Sequence, residues 1–241
     1  MSSAAVLTAA GSGTRLGHAL PKALVRLGGQ PLVLRAALGL ARAGCLGSVV
    51  VTVPAAERGV FAALFPGGTV PGTDVPARVV AGGPTRQASV AAGLAALADD
   101  VDVVLVHDAA RCLTPPALVR AVESAVRAGH RAVVPALPVT DTVKRVGDPG
   151  PDGAAPVVAT VPRLDLRAVQ TPQGFDRALL DAAHAAGAHR ARDEAAAVSD
   201  DAGLVEALGE RVWVVPGDER ALKITTPRDL ALAELLLAED H

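Results

Sequence analysis

The segment Ala9-Ala10-Gly11-Ser12-Gly13-Thr14-Arg15-Leu16-Gly17, followed by Pro21-Lys22, has the composition of a phosphate-binding loop. Glycines let backbone N–H groups approach phosphate oxygens closely, and Arg15 and Lys22 add positive charge at the same place. The surrounding charge has one sign: residues 1–56 contain Arg15, Lys22, Arg26, Arg35 and Arg42 but no Asp or Glu. Arg35 and Arg42 read as solvated helix charges, whereas Arg15 and Lys22 sit beside glycines in a loop. Two familiar phosphate loops do not match. The dinucleotide pattern needs a third glycine where Leu16 stands, and the P-loop needs a Lys-Ser/Thr pair where His18 follows Gly17. Hydride transfer and P-loop ATPase chemistry are therefore disfavoured, and the segment predicts a different polyphosphate site. The plainer alternative is a glycine-rich turn with incidental cations.

Asp108 is a second candidate. It follows an apolar run and is the sole carboxylate of its loop, which suits a hard cation such as Mg²⁺, held through few carboxylates plus substrate phosphates. A His107-Asp108 hydrolase site would need a serine in a Gly-x-Ser-x-Gly elbow, and the chain has none, so His107 reads as structural. Gly82-Gly83-Pro84-Thr85-Arg86-Gln87-Ala88-Ser89 is either a ligand-contacting turn or a strand-to-helix turn capped by Thr85.

These residues need a scaffold that presents loops at strand ends. Apolar runs at 4–9, 48–53, 78–80, 102–106 and 131–135 read as strands, separated by helical stretches at 31–43, 55–65, 85–97 and 115–128, the last with Thr114 as its N-cap. A further strand is expected at 211–215 and a helix capped by Thr226 at 227–239. Strands apolar on both faces and alternating with helices predict a single α/β domain over residues 1–241, with a mostly parallel central sheet covered on both faces. Ligands in such sheets bind at the carboxyl ends of the strands, where the loops after Ala9 and Val106 fall. Between about 137 and 168 the pattern becomes a polar-apolar alternation around a Gly/Pro turn, which predicts a protruding β-hairpin arm suited to packing on a second subunit.

Composition removes other classes. The net charge is −2 and aromatic residues make up 2% of the chain, so neither electrostatics nor base stacking favours nucleic-acid binding. Cys45 and Cys112 are too few for a disulfide framework or a zinc site, which suits a reducing cytoplasm. No signal peptide or membrane span is evident in the residue pattern.

The first loop, with Pro21-Lys22, resembles the signature of sugar-phosphate nucleotidyltransferases of the glycosyltransferase-A-like α/β fold. Val106-His107-Asp108-Ala109-Ala110-Arg111, Asp141-Thr142-Val143-Lys144-Arg145, Gln170-Thr171-Pro172-Gln173 and Leu222-Lys223-Ile224-Thr225 are together similar to the cytidylyltransferase branch that joins CTP to methylerythritol phosphate in isoprenoid biosynthesis. The resemblance implies catalytic roles for Arg15, Lys22 and Lys223, and CTP contacts at Ala9, Ala10, Gly11, Gly13, Gly82 and Ser89. It implies a methylerythritol phosphate site at Arg111, Thr142, Arg163, Thr171 and Ser199, with Mg²⁺ on Asp108. It also implies a homodimer whose arm completes the neighbouring site. Three positions depart from the family pattern: Pro84 replaces a polar residue, Cys112 a proline, and Ser199 a threonine. Ribitol 5-phosphate as acceptor, and a non-catalytic nucleotide-binding module, remain the alternatives.

Overall fold

The computed structural model describes residues 2–11, 21–191 and 200–239. Seven helices and twelve strands alternate along these residues. The strands are β1 (Ser2–Thr8), β2 (Arg26–Leu27), β3 (Gln30–Pro31), β4 (Ser48–Val53), β5 (Ala77–Ala81), β6 (Val101–Asp108), β7 (Ala132–Pro138), β8 (Val143–Val146), β9 (Val157–Val161), β10 (Arg167–Val169), β11 (Gln173–Asp176) and β12 (Trp213–Pro216). The helices are α1 (Leu32–Arg42), α2 (Arg58–Ala62), α3 (Arg86–Leu94), α4 (Pro116–Arg127), α5 (Arg177–Ala186), α6 (Asp201–Ala207) and α7 (Pro227–Ala238).

The central sheet runs β10-β7-β11-β6-β1-β4-β5, with β12 also paired to β7. β1, β4, β5 and β6 are mutually parallel, β12 is parallel to β7, and β10 and β11 are the antiparallel members. Alternation along the strands divides the core in two. On one face Ala5, Leu7, Val103 and Leu105 meet Leu32, Val33, Ala36 and Leu40 of α1 and Val119 and Val122 of α4. On the other, Ala4, Val6, Val104 and Val106 meet Val90 and Leu94 of α3, Leu179 and Leu180 of α5, and Leu204 of α6. Both faces of β1, β4 and β6 are thus buried, which explains their continuous apolar runs, whereas the edge strand β5 leaves Arg78 and Ala81 exposed.

Close packing fixes α3 on the sheet. A Cβ on Gly93 would lie 2.4 Å from Val6 Cγ1, so no side chain fits between the helix and β1. Gly93→Ala is expected to cost about 1–3 kcal/mol through overpacking, measurable as a lower urea midpoint with an unchanged slope.

Two local expectations are corrected. Thr114 does not cap α4: Pro115 takes that position, and the Thr114 hydroxyl donates to the Arg111 carbonyl at 2.8 Å, closing the preceding turn. The expected helix at 55–65 is a 3-10 turn, Ala55–Glu57, followed by the short α2. Glu57 leaves the helical region at φ −100°, ψ 1°, so the two turns do not merge. Thr85 and Thr226 do cap α3 and α7, and Thr226 forms a capping box with Asp229.

β8 and β9 pair as a separate two-stranded antiparallel ribbon outside the central sheet. Its Val146, Val157 and Val158 are more than half exposed, an apolar surface left open in the single chain.

Candidate active site

The chain order places a switch point between β1 and β6. From β1 it steps outward to β4 and β5, then returns to β6 on the other side of β1. Loops leaving the carboxyl ends of β1 and β6 therefore diverge and leave a crevice. A cavity of about 570 Å³ opens there, lined by Thr8, Ala9, Ala10, Gly11, Lys22, residues 83–86, Ser89, residues 108–110, Lys223 and Thr225, among others.

Backbone hydrogen bonds build these walls. Thr8 and Asp108 are register partners at the ends of β1 and β6. Beyond them Ala109 N donates to Thr8 O at 3.0 Å and Ala9 N to Thr52 O at 2.8 Å, so the two loops start from fixed points. Lys22 opens a 3-10 turn, Lys22–Leu24, directly after Pro21. Lys223 arrives from far along the chain beyond Asp108, and Ile224 N donates to Ala110 O at 2.9 Å, holding this segment beside the Asp108 loop.

Asp108 is the electrostatic centre. Its Oδ1 accepts from Thr8 Oγ1 and from Arg86 Nε, both at 3.2 Å, and its Oδ2 lies 2.8 Å from Lys223 Nζ. Burial opposes the charge on Asp108, but Arg86 and Lys223 outweigh it and hold the carboxyl far below the usual carboxylate range. Arg86 also donates through its Nη1 to Asp201 Oδ2 at 2.7 Å, and Asp201 Oδ1 is 2.9 Å from His184 Nε2. Burial disfavours the Arg86 charge, yet Asp201 and Asp108 raise its pKa above the ordinary value. Nothing in the sequence singles out Arg86, because a first-turn arginine usually faces solvent.

The expected site residues separate into groups. Ala9, Ala10, Gly11, Lys22, Ser89, Asp108 and Lys223 all line the one cavity. Gly82 adjoins it: a Cβ there would stand 2.7 Å from Ser89 Oγ and 3.2 Å from Ala10 Cβ. Ser89 Oγ donates to Thr85 O at 2.9 Å and accepts from Gly83 N at 3.2 Å, so the hydroxyl shapes the turn at the cavity wall. Arg15, Gly13 and Ser199 lie outside the described residues.

Arg111 and Thr171 border the Asp108 loop. Arg111 donates to the Ala221 and Val169 carbonyls at 2.7 and 3.2 Å, tying that loop to both flanking segments. Thr171 Oγ1 accepts from Asp108 N at 3.1 Å and is 2.9 Å from His107 Nδ1. Burial lowers the His107 pKa to about 4, so its ring is neutral at pH 7 and shares a hydrogen bond with the Thr171 hydroxyl at Nδ1. His107 is therefore a buried support for the Thr171 hydroxyl, not an acid or base facing the cavity. Thr142 and Arg163 are exposed together at the base of the β8–β9 ribbon, where Val143 and Val161 are paired, and Arg163 donates to the Thr140 carbonyl. Neither lines the cavity of its own chain. Cys112 is buried, and burial raises its thiol to about 12, so it is a packing residue with no accessible thiolate at neutral pH.

Among the described residues no cluster of three His, Cys, Asp or Glu exists that would hold a metal by protein ligands alone. One buried carboxylate with hard oxygens, facing this large open cavity, instead fits Mg²⁺ bound jointly by protein and substrate.

The fold and cavity define a class: a single-domain α/β protein with an open crevice, bearing Lys22 and Lys223, at the switch point of its sheet. The chain belongs to the 2-C-methyl-D-erythritol 4-phosphate cytidylyltransferase family, whose model matches residues 3–239. It is 52% identical to the 2-C-methyl-D-erythritol 4-phosphate cytidylyltransferase of Nocardia farcinica over 97% of this chain and 93% of that protein. The corresponding enzyme of Frankia casuarinae is 51% identical over 98% of this chain and 81% of that protein. The crystal structure of the Thermus thermophilus enzyme, 38% identical, superposes with a TM-score of 0.73 and covers 99% of this chain and 100% of its own.

Proposed function

We propose that the protein transfers a cytidylyl group from CTP to 2-C-methyl-D-erythritol 4-phosphate, giving 4-diphosphocytidyl-2-C-methyl-D-erythritol and pyrophosphate in isoprenoid biosynthesis. The observation that carries this reading is the joining of Lys22, Asp108 and Lys223 with the backbone of residues 9–11 in one crevice. A phosphate oxygen of the acceptor attacks the α-phosphorus of CTP in line. A new P–O bond forms as the bond to the β-phosphate bridging oxygen breaks, and its electron pair leaves with pyrophosphate. The nucleophile is already an anion at neutral pH, so no general base is required.

What the reaction needs is alignment and charge stabilisation. Lys22 and Arg15 hold the triphosphate and the negative charge that grows on the leaving group. Lys223 balances charge at the α-phosphate, and the amides of Ala9, Ala10, Gly11 and Gly13 orient the chain of phosphates. Gly82 and Ser89 form the wall for the cytosine and ribose. Asp108 would hold Mg²⁺, which when bound neutralises phosphate oxygens and draws electron density from the reacting phosphorus. Arg111, Thr171 and Ser199 surround the acceptor phosphate and polyol. In the cytoplasm both cysteines stay reduced.

The β8–β9 ribbon serves as a dimerisation arm, with Thr142 and Arg163 completing the acceptor site of a second copy. Its exposed valines, and the absence of both residues from the cavity lining of their own chain, support this. Mixing equal amounts of inactive Lys22→Ala and Arg163→Ala proteins should then restore about a quarter of wild-type activity, because one site in each mixed dimer is intact. No recovery after exchange of subunits would remove the arm from the site.

Purified protein with CTP, Mg²⁺ and methylerythritol phosphate should release pyrophosphate, with ATP, GTP and UTP far poorer donors. Ribitol 5-phosphate should be a poor acceptor in the same assay. Faster turnover of ribitol 5-phosphate would reassign the acceptor, and no pyrophosphate with either acceptor would leave only a nucleotide-binding role.

A further inference from the structure

The charge network around Asp108 extends past the cavity wall. Arg86 connects Asp108 to Asp201, which is 1% exposed and does not line the cavity. Asp201 is held rigidly. It opens α6, whose N-cap is the neighbouring Asp200, and the Asp200 carboxylate accepts from Gly203 N at 3.1 Å. Gln173 of β11 clamps the same turn by donating to Asp200 Oδ2 at 2.7 Å and accepting from Ala202 N at 3.2 Å. His184 of α5 occupies the remaining Asp201 oxygen at 2.9 Å. Two consecutive aspartates therefore play different parts, since Asp200 caps a helix while Asp201 faces Arg86.

The two cations on Asp108 are not equivalent. Lys223 is 43% exposed on a flexible stem and can turn toward a phosphate. Arg86 is 22% exposed and gripped at its other end by Asp201, so it stays. A carboxylate facing an undivided, immobile guanidinium is a poor ligand for a divalent cation, because the resident charge repels the incoming one. Dividing the Arg86 charge between two carboxylates relieves that repulsion. Directing Arg86 at Oδ1 also leaves Oδ2, among the described residues, to the displaceable Lys223.

We propose that Asp201 is a positioning residue that sets the divalent-cation affinity of Asp108 by holding Arg86 and sharing its charge. The inference rests on the reading of Asp108 as the metal ligand. Asp201 touches neither metal nor substrate and acts through Arg86 alone. His184 and the Gln173–Asp200 clamp keep it aimed.

The test is a Mn²⁺ titration of the full chain at saturating CTP without acceptor, followed by water-proton relaxation. Asp108→Asn should weaken Mn²⁺ binding most. Asp201→Asn should weaken it about tenfold, since the whole Arg86 charge then falls on Asp108. The double variant Asp201→Asn/Arg86→Gln replaces the buried ion pair by a neutral one and removes the competing cation. Its Mn²⁺ affinity should return to within about threefold of wild type, and its neutral pair guards against misfolding. A purely structural role predicts the reverse, with the double variant no better than the single one, and that result would overturn the proposal. So would a wild-type affinity in Asp201→Asn. An unchanged affinity in Asp108→Asn would overturn the metal reading and this inference with it.

Discussion

Lys22→Ala is expected to lower the rate of pyrophosphate release by about 10²-fold or more, with a smaller change in the CTP concentration giving half-maximal rate. Lys22 lines the crevice at the start of the Lys22–Leu24 turn, and Lys223 is the other lysine among the described residues that line it. Negative charge moves onto the leaving pyrophosphate as the bond breaks, so a cation held there acts more strongly on the transition state than on bound CTP. Arg58→Ala, an exposed substitution on α2, serves as the control and should leave the rate unchanged. Turnover of Lys22→Ala within about twofold of wild type would remove Lys22 from the reaction.

Asp108→Asn should be equally severe for a different reason. The amide keeps the shape and the contact with Thr8 but removes the negative charge that Arg86 and Lys223 converge on. Metal-dependent activity should fall about 10²-fold or more, and raising Mg²⁺ should recover little of it. Stability should change far less than removal of a buried ionic partner usually implies, because Arg86 keeps its bond to Asp201. A variant that melts much earlier but retains its specific activity would show that Asp108 is a structural anchor.

Much of this arrangement can be read from the chain, and the reason is locality. A glycine-rich loop after a short apolar strand, or an aspartate ending another, needs only a few neighbouring residues to be recognised. The β-branched run at β4 and the threonine caps of α3 and α7 are equally local. The antiparallel insertion is not. β11 is four residues long, Gln-Gly-Phe-Asp, and carries no strand pattern. It sits between β6 and β7 because Phe175 is buried and Gly174 admits α4: a Cβ there would be 2.7 Å from Val122 Cγ1. Such complementarity depends on residues distant in the chain. Arg86 is hidden for the same reason, since its two carboxylates come from β6 and α6. Thr171 is a subtler case: its residue type suggests a ligand contact, while its hydroxyl supports the backbone of Asp108 and the ring of His107.

The pinning of Ile224 N to Ala110 O has a consequence for synthesis. Translation delivers β1, its glycine loop and β6 well before Lys223 emerges, so the parallel half of the sheet can assemble on the ribosome. Asp108 would then sit in that nascent sheet with Arg86 alone, joined first by Asp201 and last by Lys223. The parts of the crevice therefore become available in the order of synthesis, and a translation intermediate can hold Lys22 and Asp108 while lacking the second lysine.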